Sequence, residues 1–254
     1  MTASQRRIKQ TIIASVYLMV FSTIIFLIVI TLFPSTPVIV EDKPFIQPIQ
    51  IIKSGKIDLG NGKADFWVEL SNPNDDYGVA KLEYSFILNN SNGTESIRRG
   101  DTFILPGDKK RYVLLLDVSS EYELQDFKIN QEPEWAQLSK SSLPELVTRN
   151  VSLGISNKAG NAFTVFGILT NASPVNLKNI QVIAIITDDN SNIIGVNQTL
   201  IRDVLTLESR DFEMIWKEEL PGAIKDNTKI YAQSNVLRDR ELLIELQQKP
   251  IFER

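Results

Sequence analysis

Asp75-Asp76 and Asp188-Asp189-Asn190 are the places in this sequence where side-chain oxygens crowd. A calcium ion takes about six to eight oxygen ligands, and a dedicated loop spaces them as Asp-x-Asp. Neither string keeps that spacing, so both read as solvated turns. Ser139-Lys140 sets a hydroxyl beside an amine, the pairing that Ser-Lys hydrolases use. Neighbours in sequence do not face one another, and nothing around the pair has the strand–turn–helix pattern of a nucleophile elbow. The chain has no His and no Cys. That removes the commonest general base, disulfides, thiolate ligands and cysteine nucleophiles. Gly60-Asn61-Gly62 reads as a hairpin turn, not a phosphate-binding loop. Asn89, Asn92, Asn150, Asn171 and Asn197 each begin an Asn-x-Ser/Thr sequence, which matters only where glycosylation machinery exists; most read as turn composition. No catalytic, cofactor-binding or metal residue is assigned, no cofactor is expected, and the chain reads as not an enzyme.

The elements around these residues begin with an apolar run. Thr11–Phe33 has 23 residues without a charge, and 15 of them are Ile, Leu, Val or Phe. As a helix it would be ~34 Å long, enough for a bilayer core. A cleaved signal peptide is the alternative, but its apolar region is normally shorter and ends at a small-x-small site. The run therefore predicts a single-pass transmembrane helix ended by Pro34. Arg6, Arg7 and Lys9 precede it with no acidic residue, which predicts a cytoplasmic N-terminus and a body outside. The lipid bilayer is then an expected partner through Thr11–Phe33. Without those three cations the body is acidic, since the whole chain has 27 basic and 31 acidic residues. A mildly acidic body argues against nucleic acid as the main partner.

The body repeats itself. "SFILNNSNG" (Ser85–Gly93) returns as "AIITDDNSN" (Ala184–Asn192) after about a hundred residues. Asn72 falls on Asn171, Leu70 on Leu169, the string from Tyr112 on that from Phe212, and Phe127–Ile129 on Thr228–Ile230. A repeat this long is a duplicated domain. Within each repeat the period is two. Ala64, Phe66, Val68 and Leu70 alternate with Asp65, Trp67, Glu69 and Ser71; Ile180, Val182, Ala184 and Ile186 form one face. Such alternation predicts half-buried strands packed as two sheets. Turn pairs at Asn61-Gly62, Asn92-Gly93, Pro106-Gly107, Ala159-Gly160 and Pro221-Gly222 separate the strands. Each repeat thus predicts a sandwich of about seven strands. Phe86 and Leu88 should face the core, Asn90 and Asp188 should bond turn amides, and Gly93 should supply a positive φ.

These strings resemble the FxLYD domain, an immunoglobulin-like sandwich of bacteria and archaea. Phe86 and Leu88 match its Phe-x-Leu, while Asn89 and Asn90 replace its Tyr-Asp. Ala184 and Ile186 replace the Phe and Leu in the second repeat, and Asp188 keeps the acid. "LSNPN", "LTNAS" and "ILPGDKKRY" resemble its strand end and turn. The resemblance covers Pro48 to Val236 and implies an extracytoplasmic accessory module without known catalysis.

The expected organisation is a basic tail over 1–10, the transmembrane helix over 11–33, a Pro-rich spacer over 34–47, one sandwich over 48–140, and a second over 141–254 with a C-terminal tail. Trp135 should cap the first core or pack at the junction. Leu242, Leu243 and Leu246 suit a short amphipathic helix, while "LLIEL" suits an added strand. The fold class is mainly β: a transmembrane helix followed by two tandem immunoglobulin-like sandwiches. The expected role is a non-enzymatic membrane protein presenting its sandwiches to an envelope protein or a surface polymer. The alternative is a structural subunit of an envelope secretion or pilus assembly complex.

Overall fold

A computed structural model describes residues 3–32, 45–155 and 162–248. Helix α1 (Ala3–Leu32) belongs to one compact unit, Met1–Phe45, and the rest of the chain to another, Ile46–Arg254. The expected transmembrane helix over Thr11–Phe33 is corrected here. Among the described residues no helix is long and apolar enough to cross a membrane. The single-pass anchor, the bilayer partner, the cytoplasmic N-terminus and the external placement of the body are withdrawn with it. Most of the expected spacer, Pro34 and the Ala159-Gly160 turn lie outside the described residues.

The body is built from strands β1 (Gln50–Asp58), β2 (Lys63–Ser71), β3 (Tyr77–Asn90), β4 (Glu95–Ile104), β5 (Arg111–Ser119), β6 (Tyr122–Ile129) and β7 (Trp135–Gln137) in the first repeat. The second repeat has β8 (Leu146–Ile155), β9 (Phe163–Asn171), β10 (Leu177–Thr187), β11 (Ile193–Val204), β12 (Ser209–Trp216) and β13 (Lys229–Ser234), then helix α2 (Arg240–Gln248). Sheet I is ordered β1-β2-β5 and sheet II β4-β3-β6, with β7 also on β3. Sheet III is β8-β9-β12 and sheet IV β11-β10-β13. The strand order is the same in both repeats. Among the described residues each repeat has six main strands, and the first adds the three-residue β7.

The alternation does what the sequence asks of it. Ala64, Phe66, Val68 and Leu70 meet Leu82, Phe86, Leu88 and Phe127 between sheets I and II. Phe86 and Phe127 pack edge to face at 5.0 Å. Between sheets III and IV, Val165, Leu169, Phe212, Met214 and Trp216 meet Ile180, Val182, Ala184 and Ile186. Each buried side chain of this size contributes ~1.5–3 kcal/mol. Trp135 packs against the first core, as expected.

Register corrects two of the sequence equivalences. Glu69 pairs with Tyr112, and its counterpart Ile168 pairs with Asp211, so Tyr112 corresponds to Asp211 rather than Phe212. The first repeat has one more residue between Asp108 and Arg111 than the second has between Glu208 and Arg210. A one-residue slip exchanges faces: Tyr112 points away from its own core, whereas Phe212 lies inside. Likewise Phe86 pairs with Phe127 and Ala184 with Ile230, so Phe127 corresponds to Ile230, not Thr228.

The repeats are fused. A third apolar cluster joins Ile57, Trp67 and Tyr112 of sheet I to Ile183, Ile185 and Val196 of sheet IV. Phe103, Leu105 and Leu138 of the first repeat also enter the second repeat's core. Strands β2 and β10 are consequently buried on both faces. Gly55 makes room for this: a Cβ there would lie 2.7 Å from the Trp67 indole.

Candidate functional site

The recurring string forms the same hairpin twice. Asn90 Oδ1 accepts from the amides of Asn92 (3.1 Å) and Thr94 (2.8 Å). Asp188 Oδ1 accepts from those of Asn190 (2.9 Å) and Asn192 (2.8 Å). Gly93 and Ser191 take the positive φ, 76° and 65°. Hydrogen bonds led by Asn192 hold the Asp188 carboxyl below its ordinary pKa. Its oxygens are occupied by the turn itself.

Asn72 and Asn171 also repeat a task, both fully buried. Asn72 Nδ2 donates to the carbonyls of Tyr77 (2.6 Å) and Leu105 (2.9 Å), and its Oδ1 accepts from the Asn74 amide at 3.0 Å. Asn171 Nδ2 donates to Val175 (2.8 Å) and Leu205 (3.1 Å), and its Oδ1 accepts from the Ser173 amide at 3.1 Å. Each amide ties a strand end to the turn before the fifth strand of its repeat. A fully buried Asn171 offers nothing to a glycosyl carrier.

The seam between the repeats carries the most perturbed side chains. Arg111 is 2% exposed. It donates to Thr102 Oγ1 (2.9 Å), to Gln233 Oε1 (2.6 Å) and to Gln181 Oε1, and lies 4.0 Å over the Phe103 ring. Burial lowers its pKa to about 10, opposed by Asp108, so it stays charged at neutral pH. Gln233 Nε2 donates to Asp108 Oδ2 at 2.7 Å; burial pushes that carboxyl up. Tyr112 donates to Glu69 Oε2 at 2.8 Å, and burial first, then that bond, raises the phenol. The Tyr112 and Tyr231 rings lie 5.3 Å apart. On β2, Asp65 accepts from the Asp117 amide at 2.8 Å; burial lifts its carboxyl to about 6. These groups are closed in and bonded to one another. They join the repeats, and Phe103 and Gln181 also border a cavity of about 410 Å³.

An open concavity lies beside α2. A groove of about 910 Å³ runs between the start of β10, the end of β13 and the first turns of α2. Asn176, Lys178, Asn235, Arg238, Glu241 and Leu242 are among its lining residues. Asp239 caps α2, its Oδ1 accepting from the Leu242 amide at 3.3 Å, while Oδ2 pairs with Lys178 Nζ at 2.8 Å. The Lys178 bond holds the Asp239 carboxyl down and the lysine up. Asn235 donates to the Ala80 carbonyl at 2.8 Å, and its Oδ1 is buried without a hydrogen-bond partner among the described residues. Leu246, buried, pins α2 to the second core, and Gln247 donates to the Gln137 carbonyl at 2.9 Å. Of the two forms open to the tail, the helix is the one that exists, because Asp239 caps it and Leu242, Leu243 and Leu246 share its buried side.

The other residues singled out from sequence stay apart. Asp75 lies 3.5 Å from Lys140 Nζ, and Ser139 Oγ bonds Ser141 Oγ at 3.0 Å, so Ser139 and Lys140 face different partners. Among the described residues no His/Cys/Asp/Glu group has the geometry to hold a metal ion. Asn89 donates to Gln125 Oε1 and Asn197 to the Ile215 carbonyl. Asn150 sits at a positive φ of 52° in a bulge of β8. The seam residues Arg111, Tyr112 and Glu69 and the groove residues were not found from sequence. One signal was present: "QVIAII" (Gln181–Ile186) runs apolar on both parities, the mark of a strand covered on two sides. No protein-family model and no curated protein matches this chain, so the FxLYD resemblance rests on the quoted strings alone.

Proposed function

We propose that this protein is a non-enzymatic interaction module whose two immunoglobulin-like sandwiches form one rigid body, and that the groove beside α2 receives an extended segment of a protein partner. The observation that carries this reading is the groove's chemistry. Amides (Asn176, Asn179, Asn235) alternate with cations (Lys178, Arg238) and with Glu241 above an apolar floor of Val175 and Leu242. Amide side chains match peptide N–H and C=O groups, and mixed charge selects a polypeptide over a polyanion. Fusion of the repeats supports the module reading, because a rigid body presents such a groove without an ordering cost.

A photo-crosslinker replacing Leu242 in the full-length chain, expressed in its own cells, tests this. It should give a discrete protein adduct that Lys178→Glu abolishes. The same crosslinker at Glu213, outside the groove, should not give that adduct. Identical adducts from both positions, or none from Leu242, would refute the groove.

A further inference from the structure

The seam shows how one repeat docks on the next. Sheet I of the first repeat, with Leu105 in the turn beside it, meets sheet IV and the core of the second. The repeats share one strand order, so the same two faces exist a second time. Sheet III is the second repeat's counterpart of sheet I, and sheet II the first repeat's counterpart of sheet IV. Strand registers and the paired turns fix the correspondence. On the docking face, Phe166 stands where Trp67 does, Leu205 where Leu105 does, Asp211 where Tyr112 does, and Arg210 where Arg111 does. On the receiving face, Ile97 stands for Val196, Lys128 for Tyr231 and Glu83 for Gln181.

Two observations mark these counterparts as a joint. The first is apolar exposure. Trp67, Leu105 and Val196 are 8%, 6% and 1% exposed in the seam; Phe166, Leu205 and Ile97 are 38%, 56% and 43% exposed. The second is charge. Carrying the seam's contacts onto the free faces turns the Tyr112–Tyr231 ring pair into Asp211 against Lys128, and the Arg111–Gln181 hydrogen bond into Arg210 against Glu83. Both replacements are opposite charges, so the two faces complement one another where the seam is neutral or singly charged.

We propose that this protein assembles head to tail, the sheet III face of one molecule docking on the sheet II face of the next with the geometry of its own internal seam. The partner is a second molecule of this chain. A heterologous contact of this kind leaves one free face at each end of a dimer, so assembly runs past the dimer into linear oligomers, or into a ring where the rotation closes. In the single molecule Lys128 lies 3.5 Å from Asp126, Arg210 lies 2.7 Å from Glu208, and Glu83 holds Lys81. These are solvated pairs that docking exchanges for contacts across the joint, and added salt weakens the assembly. None of these counterpart residues lines the groove, so this inference stands apart from the groove reading.

Sedimentation velocity of the full-length chain over ~1–100 µM is the test, a range that spans micromolar association. The mass should rise with concentration and pass that of a dimer. Phe166→Glu and Ile97→Glu should each weaken assembly at least ~10-fold. Mixed in equal amounts, they should form a dimer and stop, because each keeps one intact face. Asp211→Lys and Lys128→Asp guard against a folding defect: each alone weakens assembly, and the two together in one chain restore it. A single unchanging monomer mass in the wild type would overturn the proposal. So would assembly that survives Phe166→Glu and Ile97→Glu unaltered, which would assign it to another surface. Failure of both the mixture and the charge exchange would overturn the pairing.

Discussion

Replacing Asp65 by asparagine should make this protein more stable at pH 8. Asp65 lies on β2 with 5% exposure, and its carboxylate accepts from the Asp117 amide, whose φ of 60° marks the bulge in β5. Burial raises the carboxyl from 3.8 to about 6, and the nearby Asp117 and Glu218 carboxylates push the same way. The folded chain therefore holds this proton more tightly than the unfolded chain. Ionising Asp65 costs stability: the cost is absent below pH ~4, grows between ~4 and ~6, and is complete above ~6. The difference in pKa sets an upper bound of ~3 kcal/mol, and ~1–2 kcal/mol is the expected effect. The asparagine side chain keeps an acceptor for the Asp117 amide and removes the charge. Urea unfolding of the wild type and Asp65→Asn at pH 8 and pH 4 measures the effect. The variant should gain ~1–2 kcal/mol at pH 8 and nothing at pH 4, with equal m-values. Every other titrating group is common to both chains and cancels. A variant no more stable at pH 8, or a gain independent of pH, would refute the reasoning that burial of the charge dominates.

Arg111→Ala should cost ~3–5 kcal/mol by thermal or urea unfolding, since it removes a buried cation and leaves Gln181, Gln233 and Asp108 without it. The same variant should split one unfolding transition into two, because the seam is what couples the repeats; an unsplit transition of unchanged midpoint argues against that coupling. Leu207→Gly should stabilise by ~0.5–1 kcal/mol in the same assay: Leu207 has a φ of 61° and is 74% exposed, at the place where the first repeat has Gly107 at 62°.

Much of the scaffold was legible because it depends on local pattern. The two-residue period of Ala64–Leu70 selects a strand and its core face. Asn90 and Asp188 sit where a side-chain acceptor must meet turn amides, so the hairpin could be read from either copy. Asn72 and Asn171 aligned because both finish a strand. Comparison beyond Asp108 failed by one residue at Tyr112, since the first repeat's turn is longer and the period of two turns a slip of one into the wrong face. The groove was not legible at all. Its residues come from before β10, after β13 and along α2, and are neighbours only because Leu246 draws the helix back onto the second core.

By itself the sequence determined a duplicated β body, its core faces, its hairpins and the absence of histidine and cysteine chemistry. Those properties follow from side-chain type and spacing along one strand or turn. Tertiary structure alone decided what covers the outer faces. Asp65, Trp67 and Glu69 read as a solvent row, yet all are buried, because sheet IV closes over sheet I and supplies Ile183, Ile185 and Tyr231. Burial of a face is a property of two surfaces meeting, and the strand that carries one of them holds no record of the other.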